Sequence, residues 1–345
     1  KISKGPLGGL FIGDVMEYYG TLGPACSDVD TLDQMIKAGM TGIRINLSHG
    51  DLEEKADWIE KYYRACEENK IEAQVIVDVQ GPELRLGVFD DIDLEKNQLI
   101  KYVKKDSKEE GVIKGPAEII SHGQLGDLLI VDDGKVSLSL EEKAEDYLIL
   151  RSLEKGLIKK SKSITIKNKD IKLPVLTAKD IKNLKFAQSI HINNLMQPFV
   201  RSGGEVEELK SILEKEGLKN FKIYGKIENQ EGIDKIDEIL DQVDVLVIAR
   251  GDLGNNLDMW KLPAIQKELS KKSRDRGVNF MVVTQLLDSM IENPQPTRAE
   301  VNDIYNSVLD GATSLMVTAE TAIGKYPVEC MDMLKKTASQ AIEAR

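Results

Sequence analysis

Cysteine is scarce in this chain. Only Cys26, Cys66 and Cys330 occur in 345 residues, too few and too scattered for a disulfide framework or a zinc site. That scarcity predicts a reducing, cytoplasmic setting. Aromatic residues make up 5% of the chain, which suits aliphatic packing between strands and helices better than an aromatic-rich recognition surface. No apolar run approaches the roughly 18 residues of a membrane span, and the opening "KISKGPLGGL" lacks the apolar segment of a signal peptide. An excess of basic residues is also missing. The net charge of -11 excludes the basic footprint expected of a nucleic-acid or anionic-membrane partner. Any phosphate bound here must be met by local lysines, arginines, backbone amides or a metal ion.

What remains is an ordinary globular composition, 41% apolar and 30% charged. Its length fits a single α/β barrel of about 250 residues carrying an insertion of about 100 as well as it fits two or three separate domains. "MEYYGT", "TGIRINLS" and "EAQVIVDVQ" are short β-branched runs separated by amphipathic helical patterns, the signature of βα units and a parallel sheet. Beyond Arg85 the period changes to the alternation of half-exposed antiparallel strands, as in "DLLIVDDGKVSLSLEE" and "DYLILRSLEK". The helical rhythm resumes with "TAKDIKNLKFAQS", followed by the runs "NNLMQPFV", "FKIYGKIE", "DVLVIAR", "NFMVVTQ" and "SLMVTAE". The pattern predicts a (β/α)8 TIM barrel of the α/β class, residues 1–85 and 173–345, with a small antiparallel β domain, residues 86–172, inserted after strand three as a β-barrel-like lid.

Active sites of such barrels lie at the C-terminal ends of the strands. There the sequence places Arg44, Asn46, Ser48 and His49 (strand two), Asp78 (three), Lys226 and Glu228 (five), Arg250 and Asp252 (six), Thr284 (seven), and Thr318 and Glu320 (eight). Glu228 and Asp252, with no His or Cys nearby, offer hard oxygen ligands suited to Mg²⁺ or Mn²⁺. Lys226 lies two residues before Glu228, so on a strand both side chains project to the same face. A cation beside a metal is what phosphoryl transfer requires. The turn "ARGDLGN" is expected to leave backbone amides unshielded at Gly251, ready for an anionic group at the start of a helical turn. Replacing Lys226 by Met is expected to lower turnover with the thermal midpoint almost unmoved.

The segments "GTLGPAC", "GIRINLSHGD", "DVQGPELRLG", "IVDDGKVSL", "KIENQEGI", "LVIARGDLG", "MVVTQLLDSM", "PTRAEVND" and "VLDGATSLMVTAETAIGKYPVE" occur in the order and spacing of the pyruvate kinase family, which the chain resembles over nearly its whole length. The resemblance implies transfer of the phosphoryl group of phosphoenolpyruvate to ADP, giving pyruvate and ATP, with Mg²⁺ or Mn²⁺ and K⁺ as cofactors. It implies that Lys226 stabilises the phosphoryl group in flight and that Glu228 and Asp252 hold the divalent ion. Arg44 would grip the phosphate. Asn46, Ser48, Asp78 and the carbonyl of Val79 would form the K⁺ site, with Glu83 the residue type that accompanies K⁺ dependence. Ala249, Arg250, Gly251 and Asp252 would receive the substrate, and Thr284 would stand where the enolate is protonated. Pro24, Arg44, His49 and Lys162 would lie on the nucleotide side, and Asp133 would approach when the inserted domain closes.

The chain also departs from the family pattern. Pro198 replaces a serine before "FVR", Thr318 and Ala319 replace "SG", Ile323 replaces a lysine, and Asn255 and Asn256 follow "GDLG". Two other readings therefore stay open: a family member acting on another enol phosphate or acceptor, and a catalytically silent binding or regulatory protein. The sequence stops after the eighth helix, so a hyperbolic enzyme without the family's C-terminal regulatory domain is expected. Arg298 in "PTRAEV" implies, by the same resemblance, a homodimer joined barrel to barrel.

Overall fold

The computed structural model describes residues 16–81, 84–132, 134–167, 169, 171 and 173–344. Glu83 and Asp133, singled out above, lie outside them, as do the opening segment and the side chains of Asn255 and Asn256. In chain order the elements begin with β1 (Glu17–Thr21), α1 (Val29–Ala38), β2 (Gly42–Asn46), α2 (Ala56–Asn69) and β3 (Gln74–Asp78). Next come β4 (Ile92–Leu94), β5 (Leu99–Lys104), β6 (Ile113–Gly115), α3 (Ala117–His122), β7 (Leu128–Val131), β8 (Val136–Lys143), β9 (Tyr147–Ser152), β10 (Gly156–Ile158) and β11 (Ile164–Ile166). The strand-helix alternation then returns with α4 (Ala178–Ser189), β12 (Asn194–Gln197), α5 (Gly203–Lys215), β13 (Lys222–Ile227), α6 (Gln230–Asp234), α7 (Ile236–Leu240) and β14 (Val245–Ala249). It ends with α8 (Arg250–Asn256), α9 (Leu262–Asp275), β15 (Asn279–Val283), α10 (Arg298–Leu309), β16 (Ser314–Met316), α11 (Ala319–Ala322) and α12 (Pro327–Glu343).

Pro82–Pro174 forms one compact unit and the chain on either side of it forms the other. In the larger unit eight strands close a parallel barrel in the order β1, β16, β15, β14, β13, β12, β3, β2. This is the (β/α)8 fold expected from the sequence, with β3 paired directly to β12 across the insertion. Side chains alternate between its two faces. On β14, Val245, Val247 and Ala249 join Tyr19, Ile76, Met196, Tyr224, Met281, Val283 and Met316 inside the barrel, while Leu246 and Ile248 face the helices. The helical shell packs Leu32, Met35, Ile59, Leu184, Leu209, Leu269, Ile304 and Leu334 against that outer face.

Helix starts are fixed by local chemistry. Thr177 and Asp180 form a capping box at α4, and Thr297 and Glu300 form one at α10, each satisfying amide groups that a helix leaves open. Glu300 does more than face solvent. It also accepts the amide of Ser289 at 2.7 Å and the Ser289 hydroxyl at 2.5 Å, tying α10 to the loop after β15. Burial would raise its carboxyl, but these bonds outweigh burial and hold it below the usual glutamate range.

The smaller unit contains a six-stranded sheet, ordered β11, β7, β8, β9, β5, β6, and a separate pair of β10 with β4. Its pairings are antiparallel except β5 with β6, which is parallel and crosses over through a loop. The antiparallel expectation therefore needs this one correction. Alternating Leu129, Val131, Leu138, Leu140, Leu148 and Leu150 supply its separate core.

Candidate active site

Two inward-facing series turn from apolar to charged toward the C-terminal ends of their strands. On β13 the series runs Tyr224, Lys226 and, just past the strand, Glu228; on β3 it runs Ile76 and Asp78. The apolar barrel interior thus ends in a charged layer. Lys226 Nζ stands 3.2 Å from Asp78 Oδ1 and 3.2 Å from Glu228 Oε1. Arg44 on the adjacent β2 donates through Nε at 3.0 Å and Nη2 at 2.5 Å to Asp78 Oδ2, and its Nη1 reaches Thr21 Oγ1 at 3.5 Å. The two carboxylates are only 2% and 1% exposed, so their charges must be met by the protein or by an ion.

The protonation states follow from this crowding. Burial would raise the Asp78 carboxyl, yet Lys226 and Arg44 outweigh burial and hold it below the ordinary aspartate value. Burial would likewise strip Lys226 of its proton, but Asp78 and Glu228 outweigh burial and keep the ammonium charged above the usual lysine range. Glu228 moves the other way from Asp78. Burial pushes it up to about 7, and Asp252, in the first turn of α8, adds to that push against the opposing Lys226. Lys226 divides its charge between two carboxylates, which is why a lysine beside Glu228 does not bring it down. Two mutually repelling carboxylates, one of them buried, are a natural place for a divalent cation.

The second oxygen of Glu228 accepts the amide of Phe199 at 2.8 Å. Phe199 has a φ of 54°, a left-handed conformation rare for an aromatic residue and one that turns this amide toward Glu228. The preceding Pro198, a departure from the family pattern, is buried against Gly81, whose φ is +64°. A Cβ at Gly81 would meet Pro198 Cγ at 2.6 Å. Gly81→Ala is therefore expected to cost about 2–4 kcal/mol, from left-handed strain plus overpacking. At Gly50, also left-handed with φ +96°, the added Cβ meets only the flexible end of Glu54, so Gly50→Ala should cost less. Paired denaturant midpoints test this ordering.

Loops after β14 and β15 meet through Thr284. Its φ of 70°, with 53° at Gln285, is a strained geometry for a β-branched residue. Thr284 Oγ1 accepts the amide of Gly251 at 2.8 Å and donates to the carbonyl of Val283 at 2.6 Å. The expectation of an unshielded Gly251 amide is thus corrected: the threonine hydroxyl occupies it. The Arg250 side chain also departs from the strand-end picture. It is 7% exposed and bonds Asp303 Oδ2 at 2.5 Å and the Thr284 carbonyl at 2.8 Å. Glu320 is a brace as well, buried and accepting the amides of Leu287 at 3.2 Å and Thr318 at 2.6 Å.

After β2, Asn46 Oδ1 accepts the amide of Ser48 at 3.0 Å, and the carbonyl of Asp78 accepts that of Leu47 at 3.0 Å. Val79 is buried, with its amide on the Met196 carbonyl at 3.3 Å. His49 and Pro24 are exposed. Lys162 belongs to the smaller unit, where its Nζ pairs with Asp132 at 2.9 Å. The structure therefore brings Arg44, Asp78, Lys226, Glu228 and Asp252 into one electrostatic cluster, and Thr284 together with Gly251. Sequence reasoning missed the Phe199 amide, which no side-chain pattern announces, and Asp303, which stood unremarked in "PTRAEVND".

The fit to cations rests on the donor set. Among the described residues no three or more His, Cys, Asp or Glu gather to hold a metal; Glu228 and Asp252 are hard oxygen donors that would suit a divalent ion with positions left to substrate oxygens. Asp78 Oδ1 is buried and ion-paired to the Lys226 ammonium at 3.2 Å without a well-aligned hydrogen bond, so it keeps lone-pair capacity that a monovalent cation could use.

An α/β barrel with a charged cluster at the C-terminal ends of its strands is the general class. Residues 16–331 match the family model described as "Pyruvate kinase, barrel domain". The chain is 36% identical over 321 residues to a pyruvate kinase of Aeropyrum pernix, covering 93% of this chain and 69% of that one. It is 34% identical over 330 residues to a pyruvate kinase of Bacillus licheniformis, covering 94% of this chain and 56% of the relative. A crystal structure of a pyruvate kinase from Cryptosporidium parvum superposes with a TM-score of 0.87 at 28% identity, over 95% of this chain and 69% of that one. The chain belongs to the pyruvate kinase family, a family of phosphotransferases, and spans between 56% and 69% of the length of these relatives. Among the described residues no helix is long and apolar enough to cross a membrane.

Proposed function

We propose that this chain transfers the phosphoryl group of phosphoenolpyruvate to ADP, giving pyruvate and ATP. The observation that carries the reading is the part-buried Lys226 ammonium, held charged between Asp78 and Glu228. A preorganised cation at fixed distance lowers the energy of a phosphoryl group as charge spreads over its oxygens, because little reorganisation is needed during transfer. Arg44, on β2 beside the strand that carries Asp78, supplies a second positive group, with Asp78 fixing the plane of its guanidinium.

In this reading Glu228 and Asp252 hold Mg²⁺ or Mn²⁺, and Asn46, Ser48, Asp78 and the Val79 carbonyl hold K⁺. When bound, these ions supply positive charge that draws the two anionic substrates together. The residues Ala249 to Gly251 receive the substrate carboxylate, which requires Thr284 Oγ1 to release the Gly251 amide. The freed hydroxyl then stands on the side from which the enolate gains its proton. Pro24 and His49 border the nucleotide.

A coupled assay of pyruvate formation from phosphoenolpyruvate and ADP, with Mg²⁺ and K⁺, tests the reading. Turnover supports it, and its absence in folded protein favours a different enol phosphate or acceptor, or a silent binding protein. Glu228→Gln and Asp252→Asn are each expected to weaken Mn²⁺ binding by roughly tenfold or more, since each removes a charged ligand. Paramagnetic relaxation of water protons measures this without turnover, and unchanged affinity in both variants would move the metal site elsewhere.

A further inference from the structure

The segment between β2 and α2 carries Ser48 and His49 two and three residues after Asn46, yet its own geometry needs holding in place. It bends through Gly50 at φ +96° and is tied internally by Lys55 Nζ on the His49 carbonyl at 2.6 Å and Glu54 Oε2 on the Asp51 amide at 3.1 Å. Further ties come from one face of α4. Lys179 and Lys182 pair with Asp51 at 3.1 Å and 3.4 Å, and Asn183 Oδ1 accepts the amide of Leu52 at 2.8 Å. The spacing i, i+3, i+4 places these three side chains together.

Asn183 is the central member. It is 2% exposed, and Leu52 beneath it is fully buried, so without this acceptor the Leu52 amide would be left unsatisfied away from water. Asn183 Nδ2 donates to the carbonyl of Lys179 at 3.1 Å, which fixes the rotation of the amide and aims Oδ1 at the loop. The helix itself is anchored at its start by the Thr177–Asp180 capping box.

We propose that Asn183 is a positioning residue for the nucleotide and K⁺ end of the site, with Lys179 and Lys182 as its helpers: α4 sets the place of Ser48 and His49 through Asp51 and Leu52. The inference rests on the function proposed above for those two residues. Three readouts test it in the full chain. Asn183→Leu should raise KM for ADP and the K⁺ concentration for half activation by about tenfold, the scale of an unsatisfied buried amide, while KM for phosphoenolpyruvate moves less than about twofold. Asn183→Asp, which keeps the acceptor oxygen, should restore ADP binding to within about threefold of the parent. Hydrogen exchange in residues 47–54 should accelerate in Asn183→Leu alone. Should that variant fail to fold, Lys179→Ala with Lys182→Ala, both on the helix surface, should still raise KM for ADP about two- to threefold. A folded Asn183→Leu with parental ADP binding and unchanged exchange overturns the proposal, as does parental KM in the double variant. If the parent protein turns over nothing, the functional reading fails, and the exchange experiment alone decides whether α4 holds the loop.

Discussion

Lys226→Met is expected to lower turnover at least about 10²-fold, the loss typical of removing one preorganised charge-stabilising group, or roughly 3 kcal/mol of transition-state energy. The sequence suggested that the fold would not notice. A stability cost is expected instead, because Lys226 is the shared partner of two carboxylates that are 2% and 1% exposed. Taking one member out of a buried charge cluster costs about 3 kcal/mol or more, since the others are left uncompensated. Asp78 keeps Arg44 and will hold its charge; Glu228 keeps the Phe199 amide but loses the Lys226 ammonium. For a barrel of this size that cost is a fall of about 6–12 °C in thermal midpoint. Lys226→Arg separates the two effects. Its charge should recover most of the stability, whereas its longer planar head should not recover the turnover. A methionine variant with parental turnover would sink the phosphoryl role, and one with parental thermal midpoint would mean that the cluster is not a coupled unit.

The barrel was legible because its period is written in the residues. Strands such as "DVLVIA" and "NFMVV" are short, β-branched and separated by helical patterns, and their alternation predicted which side chains face inward. The same period-two rule placed Lys226 and Glu228 on one face, where they are found 3.2 Å apart. What the sequence could not show are interactions made by backbone or across distant segments. The amide of Phe199 on Glu228 depends on a left-handed φ, which a phenylalanine gives no reason to expect. Glu320 was grouped with the polar strand-end residues because residue type alone does not reveal that two loop amides, Leu287 and Thr318, already claim its oxygens. Gly251 was read as an open amide for the same reason: the hydroxyl covering it comes from Thr284, 33 residues later.

Asp303→Ala is expected to have the second largest effect, although Asp303 lies on α10 and has no part in the charged cluster. Its partner Arg250 is 8% exposed on its side chain, while Asp303 is 33% exposed. The asymmetry decides which truncation hurts stability more. Losing Asp303 leaves a guanidinium in a dry site with, among the described residues, the carbonyls of Thr284 and Gln285 and the side-chain oxygen of Gln266 as partners, and its Nε already donates to no partner there. That should cost about 3 kcal/mol. Losing Arg250 leaves an aspartate that water can still reach, so Arg250→Met should cost about 1–2 kcal/mol. Turnover should rank the pair in reverse. Arg250 holds the carbonyl of Thr284 at 2.8 Å in a conformation that a threonine adopts only under constraint, and the same residue's hydroxyl sits on the Gly251 amide. Without Arg250 the loop is expected to relax and the substrate carboxylate to lose its seat, whereas Asp303→Ala leaves the guanidinium on the carbonyl. Denaturant midpoints of both single variants and the double variant close the cycle, with a coupling of at least about 1 kcal/mol expected for residues in direct contact. Additive midpoints, or an Arg250→Met enzyme that turns over faster than Asp303→Ala, would show that Arg250 merely fills space between α8 and α10 and that the strain at Thr284 is held by something else.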